Sequence, residues 1–317
     1  MKRSAEVPLW LIPLRRWIER SAVALATLPD GLEEDFTQPV GEPALVPHDS
    51  VSWEVFRNPV SLLIGGTAAV VLELAEPRVR TGVYEHSAFR SDPLARLRRT
   101  GRATMVTVYG ARSHAEAMIA RVSRLHVPLH GVTPGGQPYR AVDPELLTWV
   151  FATASYGFLR ARDVYVAPIG DVEQDRFYRE GLCAAELYGA SRAPRSRAEM
   201  EHLFYAHRGV LEPSALVHEF LDMMGRLPLL PRALMPVQRL LIGAAVELIP
   251  DWVRTRLALN GKWRLRPWQM ATVRVLAASL DRVPLRSSPP VQACRRLGLP
   301  DDYLYGRGSR AVNHGQK

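Results

Sequence analysis

Apolar residues along this chain recur mainly at helical spacing, and the breaks between runs are made by proline, glycine and short capping side chains. The stretch "SVSWEVFRNPVSLLIGGTAAVVLELAEPRV" predicts a short helix, a break at Asn58-Pro59, and a nearly all-round apolar helix to about Ala75. A helix apolar on every side belongs in the interior of a bundle. Asp92 before Pro93 combines an N-cap with proline at the first helical position, and predicts a helix through Arg99 and beyond. Ser113-His-Ala-Glu116 has the spacing of a capping box and predicts another helix start, followed by Met118, Val122, Leu125 and Leu129 at helical intervals. Pro128 disfavours helical geometry at Val127, so that helix is expected to end close to His126.

"GVTPGGQPYRAVD" then predicts a turn or short hairpin, and Asp143-Pro144 repeats the cap-plus-proline signal for a long helix over about 145–162. Further helices are expected over 172–189, 196–207 and 213–225, and the last third is helical with proline punctuation. Strand-like alternation is rare, with "TMVTVYG" the best candidate. No internal repeat and no long Pro/Gly/Ser linker divides the chain. The expectation is one all-α domain over 46–285, with an N-terminal extension over 1–45 and a tail over 286–317, unpatterned after Gly306.

Composition sharpens this only a little. At 317 residues, 47% hydrophobic and 23% charged, the chain can bury a sizeable core. Its net charge of +9 is almost wholly arginine, since lysine occupies only Lys2, Lys262 and Lys317. The arginines are scattered, with no stripe and no interleaved aromatics, so no nucleic-acid partner is expected. Cys183 and Cys294 make neither a CxxC nor a disulfide framework, and a reducing cytoplasm is the expected setting. The opening "MKRSAEVPLWLIPLRRWIERSAVALATLP" is broken by Pro8, Pro13, Arg15 and Arg16, which suits neither a signal peptide nor a membrane span. Residues 228–250 come closest to a span, but Arg232, Arg239 and Glu247 interrupt them and leave peripheral membrane contact as the expectation.

GxSxG, P-loop, HExxH and a convincing GxGxxG are all missing from the sequence. Chemistry concentrates instead in "DPLARLRRTGRATMVTVYGARSHAEAMIARVSRLHVPLHG", residues 92–131. Arg96 and Thr100 share a helical face, with Arg99 close enough to contribute. That face reads either as solvated arginines or as the wall of a site. His126 follows Met118 and Val122 on the edge of an apolar stripe, where a histidine serves as a core residue bonded to a carbonyl or as an axial metal ligand. His130 competes for the second role. Pro128 separates the two imidazoles, so they make no HxxxH pair on one helix, and nothing nearby completes a zinc site.

Taken together, several motifs resemble one family. They are H-S-A-F-R-S-D-P-L at His86–Leu94, R-x-x-x-T at Arg96–Thr100, and L-H-x-x-x-x-G at Leu125–Gly131. Further on come G-x-x-Y-x-A-x-D-P-E-L-L-x-W-V at Gly136–Val150 and D-x-F-Y-x-E at Asp175–Glu180. In this order they resemble the MpaB-type oxygenases and latex-clearing protein, over roughly residues 50–280. The resemblance implies packed helices, globin-like in general character, around a b-type haem pocket. It implies His126 as axial iron ligand, with Arg96 and Thr100 near the haem and Arg99 as the basic residue before the threonine. It also implies dioxygen as co-substrate and cleavage of carbon–carbon double bonds in polyisoprenoid, prenylated or similarly apolar molecules. Two departures stand out. Pro128 and His130 occupy positions where relatives commonly differ, and Phe151 stands where many carry a histidine after the W-V pair. A haem- or lipid-binding protein without turnover is therefore the alternative, and a cofactor-free helical interaction protein a third.

Overall fold

The structure, a computed structural model, describes residues 34–306; the expectations for the opening residues and for the tail after Gly306 lie outside them. The first helices are α1 (Val51–Val55), α2 (Pro59–Ala75) and α3 (Pro77–His86). The break at Asn58-Pro59 is where it was expected. The Asn58 side chain accepts hydrogen bonds from the Val60 and Ser61 amides at 3.0 and 3.1 Å, meeting two of the donors that every helix start leaves unpaired. Buried Glu76 ends α2 and caps α3, accepting from the Val79 amide at 2.7 Å, and the chain bends there by 106°.

Next come α4 (Pro93–Tyr109) and α5 (Arg112–His126), which meet at a sharp corner at Gly110-Ala111. Asp92 caps α4 as expected, accepting from the Ala95 amide at 3.1 Å. Two local expectations are corrected. "TMVTVYG" is the C-terminal part of α4, not a strand, because Val106, Val108 and Tyr109 bury within a helix already running from Pro93. The capping box at Ser113 does not form either. Helix α5 starts one residue after Ala111, and Ser113 instead donates its amide and hydroxyl to Glu42 at 2.6 and 3.0 Å.

A two-stranded antiparallel hairpin follows, β1 (His130–Val132) and β2 (Pro138–Arg140), with Gly131 opposite Tyr139. Helix α6 (Pro144–Tyr165) is the long one that Asp143-Pro144 announced. The expected helix over 172–189 is two, α7 (Asp171–Glu180) and α8 (Leu182–Leu187), broken at Gly181. Then come α9 (Arg197–Ala206), α10 (Ala215–Met224), α11 (Met235–Glu247), α12 (Asp251–Arg256), α13 (Pro267–Leu280) and α14 (Pro289–Arg296).

Helices α2 and α6 form the most extensive pairing in the molecule, and α10, α11 and α13 pack around α2. Their closeness has a covalent cause. A Cβ on Gly65 would stand 2.8 Å from the Gly157 carbonyl oxygen, so two glycines facing each other let the backbones touch. The core also takes in Phe36, Ala44 and Leu45 before α1, and Ala293, Cys294 and Leu304 near the end. Apart from the single hairpin the regular elements among the described residues are helices, which makes this an all-α single domain. Among them no single helix is long and apolar enough to cross a membrane. Most of the apolar character of residues 228–250 is spent in the core, where Leu241, Ile242, Ala244, Ala245 and Val246 are buried.

Candidate functional site

Arg96 and Thr100 lie one turn apart on α4 and line the same cavity, with Val70 of α2, Phe89, Pro93, Leu97, and Phe220, Met223 and Met224 of α10. The cavity is small, about 30 Å³, which is room for one water molecule. Its walls are apolar apart from the guanidinium and the hydroxyl. The Arg96 guanidinium sits over the Phe89 ring at 5.6 Å and, among the described residues, makes no salt bridge. Desolvation lowers its pKa, and the positive charge of Arg99 adds to that. Arg99 itself points to solvent and does not line the cavity.

Sequence reasoning missed Glu73, the acidic partner of this site. It is the one charged side chain in α2, one turn after cavity-lining Val70. Protein crowds it closely enough that desolvation pushes its carboxyl up to about 7, against the opposing pull of Arg96. Among the described residues the Glu73 carboxyl group accepts no hydrogen bond and makes no ion pair within 4 Å, although its backbone carbonyl accepts from the Glu76 amide at 3.2 Å. The signal was present in the sequence: a lone carboxylate inside an otherwise apolar run is costly and calls for an explanation.

His126 is the last residue of α5 and is half-buried. Its backbone carbonyl accepts from the Leu129 amide at 3.0 Å, but its ring has no hydrogen-bond partner among the described residues. The expected carbonyl-bonded core histidine is thus not what forms. Desolvation lowers the pKa of the imidazole, which favours the neutral form that donates a lone pair to a metal. His126 does not line the Arg96–Thr100 cavity. The two stand on helices that meet at Gly110-Ala111, nearly equally far from that corner. His130 is exposed on β1, its Nδ1 2.9 Å from the Pro128 carbonyl oxygen.

The corner itself is well tied. Glu34 bonds Arg102 of α4 at 3.2 Å and His114 of α5 at 2.9 Å, while the Tyr188 hydroxyl meets Thr107 at 2.9 Å and the Met118 sulfur at 4.0 Å. Beyond Met118 only Ile119 of α5 is buried, and among the described residues no side-chain bond ties 119–126 to another element. The residue types are ones a haem uses, an unbonded imidazole and a cation beside a hydroxyl, but His126 and the Arg96–Thr100 wall do not share a cavity. A porphyrin needs more room than the cavity of about 30 Å³ offers. Among the described residues no three His, Cys, Asp or Glu side chains gather as a metal site of their own. A larger hollow of about 390 Å³ along α9, with Arg192, Glu199 and His202 on its rim, shares no lining residue with this site.

Other motif residues are scaffold. Glu180 accepts from the Val51 and Ser52 amides at 3.2 and 3.0 Å and so caps α1. Trp149 donates to the Leu72 carbonyl at 3.2 Å, and Tyr139 joins His86 and Glu85 at 3.1 and 2.8 Å. Phe151 packs near Gly181, away from the cavity.

The described residues thus form an all-α domain with a small, ionisable, apolar-walled cavity between helices. Residues 53–281 match the family model described as "ER-bound oxygenase mpaB/B'/Rubber oxygenase, catalytic domain", and the chain belongs to that family. No curated protein and no solved structure matches it.

Proposed function

We propose that this protein is a haem b-dependent oxygenase that uses dioxygen on an apolar substrate of terpenoid, prenylated or lipid-like character. The observation that carries the reading is His126, a half-buried imidazole with lowered pKa and no bonding partner, on the helix that follows the Arg96–Thr100 wall. Bound haem would supply the activation of dioxygen that protein side chains alone do not offer.

His126 would hold the iron through its neutral ring. Arg96 carries a positive charge into an apolar setting, where it either pairs with a haem propionate or stabilises negative charge that develops on oxygen. Thr100 brings a hydroxyl donor to the same wall. Glu73 keeps its proton to about pH 7 and so can hold or release one at its carboxyl near neutrality. Val70, Phe89, Leu97, Phe220 and Met223 give the cavity hydrocarbon walls, which suit a substrate without charge. His130 remains a second candidate ligand, and Arg99 an outer contributor to the charge around Arg96.

Phe151 favours a second reading, haem or lipid binding without turnover, because it replaces the histidine many relatives carry. Two measurements separate these. Haemin added to the purified protein is expected to give a Soret band that His126→Ala abolishes or greatly weakens. A colourless wild type would defeat the cofactor assignment. Oxygen uptake by the loaded protein with an isoprenoid then distinguishes oxygenase from carrier.

A further inference from the structure

We propose that the end of α5 and the β1–β2 hairpin form a docking surface for a lipid bilayer bearing anionic headgroups. Residues 117–142 contain no Asp or Glu, while Arg121, Arg124, His130 and Arg140 are all exposed within them. None of the three arginines makes an ion pair among the described residues, unlike Arg57, Arg90, Arg162 and Arg295, each held by a carboxylate. Between them stand three exposed aliphatic side chains: Leu125 at 61%, Val127 at 57% and Val132 at 58%. They are held together by a tight connection in which the Leu129 amide donates to the His126 carbonyl and the Ala141 amide to the Leu129 carbonyl.

The neighbouring acids are already engaged: Glu85 accepts from Tyr139, Glu116 pairs with Arg112, and Asp143 caps α6. What remains is a positive rim around an aliphatic centre. Charge complementarity points to an anionic partner, and the aliphatic centre points to hydrocarbon rather than nucleic acid, which would call for stacking aromatics. The surface flanks His126, so on the oxygenase reading, and only on it, docking would bring a membrane-dissolved substrate to the site.

The test is flotation of the full-length protein with vesicles of phosphatidylcholine alone or with about one-third phosphatidylserine. Binding to the anionic vesicles alone, weakened by salt, is expected. Leu125→Glu with Val132→Glu should lower affinity at least about tenfold, and Arg121→Gln with Arg124→Gln about thirtyfold. Trp268→Glu with Val275→Glu, exposed apolar positions on α13, should change nothing. All these positions are exposed, and matching thermal melts would show that each variant folds.

Three results overturn the proposal. One is no binding to anionic vesicles. Another is undiminished binding by the Leu125/Val132 variant, which would assign contact to residues 1–33 or another face. The third is concentration-dependent dimerisation that this variant abolishes without any lipid binding. Vesicle binding is read without cofactor and the Soret band without lipid, so the two readings fail separately.

Discussion

The α2–α6 seam and the α4–α5 corner are built from the same kind of element and differ in how far packing extends along it. At the seam both helices are buried over most of their length, and Gly65 and Gly157 bring the backbones into contact. At the corner the two helices bury residues together at one end only, and the far end of α4 packs against α2 and α10 instead. Val106, Val108, Tyr109, Ala115 and Ile119 are buried at the shared end, while the far ends carry Arg96, Thr100 and His126. The difference shows where stability resides and where room for chemistry was left. A close-packed seam cannot open for a ligand without losing dispersion contacts along its length. The outer turns of α5 have less packing to lose, since beyond Ile119 none of its residues is buried.

The largest effect is expected at the seam. Gly157→Ala would drive a methyl group into the Gly65 carbonyl oxygen and against Ala69. Backbone cannot step aside as a flexible side chain does, so a loss of about 3 kcal/mol is expected in urea unfolding. A near-neutral outcome would mean that the two helices slide freely, and the rigid half of the contrast would fall.

Glu73 links the two regions, being a residue of the seam helix on which Arg96 of α4 acts electrostatically. Its carboxyl is raised from 4.5 to about 7 by desolvation, so the folded protein holds a proton that the unfolded chain releases. That contribution is fully present below pH 4.5 and is lost as pH rises through about 7, to a total of about 3 kcal/mol. Glu73→Gln removes the titration and imitates the protonated form. The variant should match the wild type near pH 4.5 and exceed it increasingly toward pH 8, as read from urea midpoints at a series of pH values. Parallel pH dependence in both proteins would show that Glu73 is solvated after all.

A smaller effect of opposite sign is expected at the corner. Gly101 lies inside α4, is exposed, and a Cβ there would meet nothing within 4 Å. Gly101→Ala should therefore stabilise by about 1 kcal/mol through reduced backbone entropy in the unfolded chain. The same replacement costs at one site and gains at the other because only the seam fills the space around its glycine. Equal effects at both would remove the distinction.

The sequence carried the seam well, because all-round apolarity over 59–75, the break at Asn58-Pro59 and the cap-plus-proline start at Asp143-Pro144 are local signals with local causes. The corner was harder to read. Ser113 followed by Glu116 has capping-box spacing, yet Glu42, distant in sequence, takes the Ser113 donors and α5 begins earlier. "TMVTVYG" has strand-like composition, but the helix begun at Pro93 carries through it and buries its apolar residues. Periodicity correctly put Arg96 and Thr100 on one face. It did not say which face would meet Phe89, Phe220 and Met223, since those partners come from other segments. Most motif residues, Glu180, Trp149, His86 and Tyr139 among them, hold elements together.

The finest distinction lies at the far end of α5, between the two imidazoles on either side of Pro128. His126 is half-buried with its ring unbonded, whereas His130 is exposed and its Nδ1 rests against the Pro128 carbonyl oxygen. A ring already desolvated gives up less hydration when it binds iron, and a ring with no bond to break gives up no hydrogen bond. Both terms favour His126. His130→Ala is accordingly expected to change stability by less than about 0.5 kcal/mol and to leave the haemin titration of the wild type intact. A Soret band lost in His130→Ala but kept in His126→Ala would move the iron to the hairpin, and the half-buried end of α5 would then have only a packing role.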